Sequence, residues 1–526
     1  MAITLRPYQA EAKEAILGEW AQGRKRTLLV LPTGCGKTIV FSEIAKERVD
    51  RGDRVLILAH RGELLEQAAD KIRENTGLEC AVEKAGSSAL ESPLPVTVAS
   101  VQSLSQERRL SRFPGDYYPT IIVDEAHHCL SDSYQRVLKH FETADVLGVT
   151  ATPDRADRKN LGSWFHSMAY EYSMSRAIRE GYLCPIRAEL IPLELDISKV
   201  SVSGGDFSAF EIGSALDPYL ERIAWEIANR FSERKTVVFL PLVSISRRFC
   251  SLLRDLGLSA VEVNGSSPDR AEILRDYAEG RYSVLCNSML LTEGWDCPSV
   301  DCVIMLRPTK VRSLYQQAIG RGTRLYPGKT ELLLPDFLWL TARHDLCRPS
   351  SLFSTEEDTA ARIDRQIRTQ GQVDLLEAEE KARRDILTER EKSLAAQLNS
   401  MRNRTGKLVD PLQYAMSIAA EDLADYQPVF AWEMARPSEK QLRLLEKRGI
   451  EPGTVENMGQ ASLLIDRLIR RQQEGLSTPR QIRALEKYGF RKVGTWTFDQ
   501  ASQMMSKLAE NNWHIPREIT AETYTP

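Results

Sequence analysis

No apolar run in this 526-residue chain approaches the roughly 18 residues needed to cross a bilayer, and the opening MAITLRPYQAEAKEAI lacks the long apolar core of a secretory leader. Neither membrane insertion nor export is expected. An excess of either charge is missing too: 70 lysines and arginines stand against 73 aspartates and glutamates. Any nucleic-acid face must therefore come from local arrangement, not bulk basicity. The nine cysteines (35, 80, 129, 184, 250, 286, 297, 302 and 347) form no C-x-x-C pair and have no histidine at ligand spacing. That pattern speaks against structural zinc and for free thiols in a reducing compartment, so a cytoplasmic protein is expected. The length suits roughly three or four domains.

What is present is alternation. Up to about Tyr172, apolar runs (TLLVL, RVLILAH, VTVAS, TIIVDE, VLGVT) alternate with helix-like segments such as Glu63 to Thr76, the pattern of a parallel sheet covered by helices. A second block repeats it with TVVFLPL, AVEVNG, SVLCNS, CVIMLRP and ELLLPDF, with helices near Ile245 to Leu256 and Asp269 to Glu279. Between them, about Met174 to Arg234, lies a connector containing the polar loop SVSGGDFS. Residues 346–430 form a charged spacer whose core, 355–405, is almost free of glycine and proline and reads as long helix. The expected fold is α/β, two tandem domains at 1–173 and 174–345, followed by an all-α C-terminal region.

The last hundred residues are duplicated with an offset of 40. Gln441, Arg443, Leu445, Glu446, Lys447, Gly449, Gln460, Ala461, Ser462 and Leu468 recur as Gln481, Arg483, Leu485, Glu486, Lys487, Gly489, Gln500, Ala501, Ser502 and Leu508. Ser438 with Gln441, and Thr478 with Gln481, predict capping boxes, and Gly449 and Gly489 predict left-handed helix stops. The cationic stripes Lys440, Arg443, Lys447 and Arg480, Arg483, Lys487, with 15 basic against 11 acidic residues from 435 onward, suggest either a solvated face or an accessory DNA-binding module over 431–526.

Three segments carry chemistry. TLLVLPTGCGKT runs from a strand into a glycine loop; backbone amides of Thr33 to Thr38 would cradle phosphates, Lys37 would neutralise the β/γ oxygens and the Thr38 hydroxyl would hold magnesium. Leu31 stands where the strict motif has its first glycine. TIIVDEAH ends in Asp124, a magnesium ligand, and Glu125, which would orient and deprotonate water; by itself it could be an ordinary acidic loop. QAIGRGTR ends in Arg321 and Arg324, fingers for phosphate held by the other domain, or surface ion-pairing arginines if taken alone. Cys35 and Cys297 would flank such a nucleotide, and a cationic helix-terminal site would lower their thiol pKa, although a small tolerated loop residue is the plainer reading of Cys35.

Taken together, these segments are identified as a superfamily 2 DEAD/DEAH-box helicase, of a RadD-type and XPB-like branch, over about residues 3 to 340. LRPYQ resembles the adenine-reading motif, LPTGCGKT motif I, LAHRGELLEQ motif Ia, VASVQSL motif Ib, DEAH motif II and VTATP motif III. VVFLPLVSIS resembles motif IV, LLTEGWDCP motif V and QAIGRGTR motif VI. The resemblance implies two RecA-like domains with ATP and Mg2+ in the cleft between them. ATP would be bound by Arg6, Gln9, Pro32, Thr33, Gly34, Cys35, Gly36, Lys37, Thr38, Gly294 and Asp296, with Gln9 on the base edge and Gln317 joining the catalytic set. His127, Thr150 and Thr152 would couple hydrolysis to movement, and Arg61, Gln102 and Thr292 would line a nucleic-acid track. Such a site implies sequence-independent, salt-sensitive binding of DNA, with RNA as the alternative, in repair, recombination or phage replication. The C-terminal helices would then offer a partner surface, and a motor subunit of a restriction or defence assembly is the rival reading.

Overall fold

The computed structural model describes every residue except 1–3, 60–62, 152–160, 192–199, 204–205, 289–294, 338–345, 355, 402–407, 419, 425, 427, 429, 431, 517 and 522–523. Two compact units emerge, Met1–Thr388 and Glu389–Pro526. Among the described residues no helix is long and apolar enough to cross a membrane, and no three His, Cys, Asp or Glu side chains group as a metal cluster. All nine cysteines are free thiols, seven of them buried.

The first unit holds two seven-stranded sheets. The first comprises β1 (Arg26–Val30), β2 (Val55–Ala59), β3 (Cys80–Glu83), β4 (Val96–Ser100), β5 (Thr120–Asp124), β6 (Asp145–Thr150) and β7 (Ser167–Glu171). Its order is β3-β4-β2-β5-β6-β1-β7, parallel throughout. Strands covered on both faces must be apolar on both, which is why these segments read as continuous runs instead of alternations. Register aligns three loops: Val30 pairs with Thr150, and Asp124 with Val149, so the segments following β1, β5 and β6 leave one carboxyl edge side by side. That edge is where open α/β sheets present ligand chemistry.

The second sheet comprises β8 (Ile186–Leu190), β11 (Thr236–Phe239), β12 (Ala260–Val263), β13 (Val284–Asn287), β14 (Cys302–Met305), β15 (Leu332–Asp336) and β16 (Gln372–Asp374). Its order is β12-β13-β11-β14-β15-β8-β16, and all pairs are parallel except β16 with β8. The connector thus contributes β8, and its polar loop is a small hairpin of β9 (Val202–Ser203) and β10 (Asp206–Phe207). The spacer is likewise part of this lobe at its start. Ile363 and Ile367 of the helix Glu357–Gln370 are fully buried, Gly371 (φ 76°) ends that helix, and β16 follows before the helix Leu375–Met401. Both sheets with their helices form tandem RecA-like domains.

The second unit contains the duplication. Ser438 caps the helix Glu439–Lys447 and Thr478 caps Pro479–Glu486, each with a reciprocal box to Gln441 or Gln481. Gly449 (φ 94°) and Gly489 (φ 90°) take the left-handed stops. The second helices, Met458–Gln473 and Phe498–Glu510, bury Ala461, Leu464 and Leu468, and Ala501, Met504 and Leu508, in one shared core. The repeated residues also find each other. Gln441 Nε2 donates to Ser462 Oγ at 2.9 Å, and Gln481 Nε2 to Ser502 Oγ at 2.8 Å.

Candidate active site

The phosphate loop leaves β1 and turns at Gly34 (φ 91°) and Gly36 (φ 75°), both in the left-handed region that glycine enters without a steric cost. Gly36 then caps the helix Lys37–Asp50, whose unpaired N-terminal amides and dipole make a concavity for anions. Pro32 and Thr33 are buried, whereas Lys37 and Thr38 keep part of their surface in solvent.

The loop is held from behind. Tyr8 Oη donates to the Cys35 carbonyl at 2.8 Å and Gln9 Nε2 donates to the same oxygen at 3.1 Å. Gln9 Oε1 accepts from the Arg6 amide at 3.0 Å, so one amide hydrogen of Gln9 remains for a base edge. Arg6 lies with its guanidinium 5.1 Å above the Tyr182 ring, and Tyr8 stacks on Tyr172 at 4.3 Å with 6° between planes. Tyr8 was not singled out by the sequence, although it sits between Arg6 and Gln9. The thiol expectation is overturned at Cys35: its side chain is fully buried, and burial pushes the thiol up to about 12, outweighing Lys37 and Arg6. Cys297 is buried as well, with its Sγ 3.3 Å from Ser299 Oγ.

Asp124 ends β5 and accepts from the Glu125 amide at 3.0 Å. Burial, reinforced by the charge of Glu125, raises its carboxyl to about 6, with Lys37 pulling the other way. Glu125 takes a left-handed conformation (φ 51°), a strained choice for a residue with a side chain, and its Oε2 lies 3.5 Å from His127 Nδ1. That oxygen is buried and accepts no hydrogen bond among the described residues, and the Thr33 hydroxyl is in the same situation. Hard oxygen donors at Thr38 and Asp124 and these unfilled groups fit a magnesium nucleotide. Thr150 is buried at the end of β6 and its carbonyl accepts from the Leu31 amide at 3.1 Å, fastening the third motif to the base of the first.

The second lobe meets this loop directly. A Cβ built on Gly320 would stand 2.6 Å from Thr33 Cβ, and one on Gly34 would stand 3.4 Å from Arg324 Cγ and 3.7 Å from Thr323 Oγ1. Within the second lobe the Cys184 amide donates to the Thr323 carbonyl at 2.8 Å, and the neighbouring Leu183 Cδ2 would stand 3.0 Å from a Cβ on Gly34. Gln317 is buried in the helix Arg312–Gly320 that delivers this segment. Arg321 Nη1 donates to the Trp295 carbonyl at 2.9 Å, and Arg324 pairs with Asp296. Asp296, expected on the nucleotide, is thus the ion-pair partner of Arg324. Burial lowers the Arg324 pKa. Lys71, on the helix Glu63–Thr76 and in no motif, keeps much of its surface in solvent; partial desolvation, then the charges of Arg324 and Arg321, lower its pKa, while Asp124 opposes the shift. Arg324, Arg321 and Asp124 thus all lie within electrostatic reach of Lys71.

Gln102 is exposed on the short helix Val101–Leu104 after β4, its Oε1 accepting from Ser100 Oγ at 3.2 Å. Arg61, Thr152, Thr292 and Gly294 lie outside the described residues. In the C-terminal unit the two cationic stripes are not equivalent. A Cβ on Gly449 would meet Arg480 Cγ at 3.0 Å, and Arg483 donates to the Leu408 carbonyl, so two of the second stripe's cations pack against the protein. Arg443, by contrast, forms an exposed pair with Glu439.

Residues 2–155 match the family model "Type III restriction enzyme, res subunit", and residues 219–326 match "Helicase conserved C-terminal domain". The chain is 34% identical over 352 residues to "Putative mitochondrial ATP-dependent helicase irc3" of Schizosaccharomyces pombe, covering 64% of this chain and 57% of that one. It is 25% identical to "DNA 3'-5' translocase XPB2" of Sulfurisphaera tokodaii, covering 61% of this chain and 79% of that one. Among solved structures it resembles "The fragment structure of a putative HsdR subunit of a type I restriction enzyme from Vibrio vulnificus YJ016", at TM-score 0.51 and 25% identity over 63% and 64% of the two chains. The chain spans little more than half the length of the S. pombe relative and of IRC3 of Saccharomyces cerevisiae, 57% and 55%.

Proposed function

We propose that this chain, whose paired α/β domains and motifs resemble a superfamily 2 helicase, hydrolyses ATP to move along or remodel DNA. The observation that carries this reading is the seam itself: the phosphate loop of one lobe touches the Gly320–Arg324 segment of the other, so a nucleotide seated there would be gripped from both sides. Lys37 and the amides of Thr33 to Thr38 would bind the phosphates, and Thr38 and Asp124 would hold magnesium, which supplies charge neutralisation on the phosphates. Glu125, with its unfilled Oε2, would orient the attacking water and take its proton. Arg321 and Arg324 would stabilise the charge of phosphoryl transfer, and because they belong to the second lobe, the state of the nucleotide would set how tightly the lobes close.

DNA is favoured over RNA by the DNA translocase and the restriction-enzyme subunit among the similar proteins. Those same restriction subunits support a second reading, in which the motor serves a nuclease supplied by another chain. The deciding experiment measures ATP turnover in parallel with single-stranded, duplex and branched DNA and with RNA, alongside displacement of a labelled strand. DNA-stimulated turnover with displacement supports a helicase. Stimulation without displacement leaves a translocase or remodeller, and stimulation by RNA alone overturns the DNA assignment.

A further inference from the structure

Four described residues other than glycine take the left-handed conformation: Glu125 in the active-site cleft, and Lys492, Asn512 and Trp513 in the second C-terminal repeat. For a bulky side chain this conformation is strained, and such strain gathers where function requires a fixed geometry. Here it holds a tryptophan in water. The Trp513 amide donates to the Leu508 carbonyl at 2.6 Å, Asn511 Nδ2 donates to the His514 carbonyl at 3.0 Å, and the ring itself is 51% exposed. Trp513 lies nearly parallel to Tyr488, at 6.4 Å between ring centres and 21° between planes.

Exposed cations flank Tyr488 in the sequence, and the nearest exposed carboxylate before Trp513 is Glu510. Residues 487–492 and 511–516 contain Lys487, Arg491 and Lys492 and no carboxylate, and all three cations are exposed. The fold of a repeat does not demand this arrangement, because the first repeat has Arg448 and Gln473 at the positions of Tyr488 and Trp513, and Glu451 and Pro452 at those of Arg491 and Lys492. It nevertheless builds the same capped helix pair.

We propose that the Tyr488–Trp513 pair, with Lys487, Arg491 and Lys492 beside it, is a stacking platform for unpaired bases of single-stranded DNA. Every base offers a flat π face whatever its identity, and cations next to an aromatic surface track the phosphates that join successive bases. The inference rests on the DNA-motor reading above and adds to it a second grip outside the motor lobes.

The test uses the full chain without nucleotide and compares a short oligothymidylate with an abasic strand of equal length. Trp513→Ala should weaken oligothymidylate binding roughly ten-fold. It should leave binding of the abasic strand, DNA-free ATP turnover and the melting temperature unchanged, since the ring is exposed. Trp225→Ala, at a tryptophan 54% exposed on the first unit, should change nothing. Unaltered oligothymidylate affinity in Trp513→Ala, or equal losses on both strands, overturns the platform and leaves the aromatic pair to another partner such as a protein. A wild-type chain that binds neither strand overturns the DNA-motor reading itself.

Discussion

Thr33 of the first lobe and Gly320 of the second are in contact: a Cβ on Gly320 would approach the Thr33 Cβ to 2.6 Å and its Oγ1 to 3.3 Å. Gly320 is helical with ordinary backbone angles, so the demand on it comes from this neighbour and not from its own conformation. Gly320→Ala should keep both lobes folded but hold the arginine-bearing segment away from the phosphate loop. Displacements of this size can lower turnover on the order of 100-fold. The matching control is Gly18→Ala in the helix Pro7–Ala21, where a Cβ meets nothing within 4 Å and helix propensity predicts a gain of roughly 0.5–1 kcal/mol. Steady-state ATP turnover and thermal melting of the two variants check both statements.

Two donors converge on the Cys35 carbonyl, and they should be separable. Tyr8→Phe removes one and leaves Gln9 in place, which should raise the KM for ATP by about five-fold, the value of one hydrogen bond near 1 kcal/mol. Gln9→Ala also deletes the acceptor for the Arg6 amide and should raise it further. Nucleotide titration of the two variants, with turnover measured at saturation, distinguishes a loop-positioning loss from a chemical one.

Glu125→Gln preserves shape while removing the proposed proton acceptor. Nucleotide affinity should be kept and turnover should fall by about 10²–10⁴-fold. Arg324→Ala should act on the same step from the other lobe, lowering kcat with little change in KM, because its side chain meets the loop only across the seam. If either variant instead loses nucleotide binding and keeps turnover at saturation, the assigned roles are wrong.

The Gln441–Ser462 and Gln481–Ser502 bonds tie the first helix of each repeat to its second, but their surroundings differ. Gln481 is 7% exposed and Gln441 is only half-buried. Removing a buried donor strands its partner, so Gln481→Ala should cost about 1–3 kcal/mol and Gln441→Ala about 1 kcal/mol or less. Thermal melts of the two variants should separate in that order.

These features differ in how far the sequence exposes them. The central strands β1, β2, β4, β5 and β6 announce themselves because burial on both faces forces continuous apolar runs, and the helix Glu63–Thr76 has the bounds its pattern predicts. The edge strands β3, β7 and β16 do not, since CAVE, SMAYE and QVD carry mixed residues that match a solvated edge as well as a loop. Capping boxes were readable because they are local, three residues apart. The Thr33–Gly320 contact joins positions 287 apart, and nothing in either segment names the other. Helical spacing likewise placed Lys440, Arg443, Lys447 and Arg480, Arg483, Lys487 on matching faces, but could not say that Gly449 and Leu408 would occupy two of the second set.

The duplication breaks symmetry again at Glu446 and Glu486, and this has a consequence in pH. Glu446 is exposed, whereas Glu486 accepts from Ser417 Oγ at 2.9 Å and is pushed by burial up to about 7, the Ser417 and Gln413 hydrogen bonds offsetting part of the shift. A carboxyl whose folded pKa lies above its unfolded value binds its proton more tightly when folded. Its favourable term is therefore complete below about 4.5 and is lost as pH rises through 7. The C-terminal unit should thus melt at lower temperature at pH 8 than at pH 5, by an amount equivalent to at most about 3 kcal/mol. Glu486→Gln, which keeps an acceptor for Ser417 without a titratable proton, should flatten that dependence, and Glu446→Gln should leave it intact. A melting curve of Glu486→Gln with the wild-type pH slope would show that the slope arises from another group.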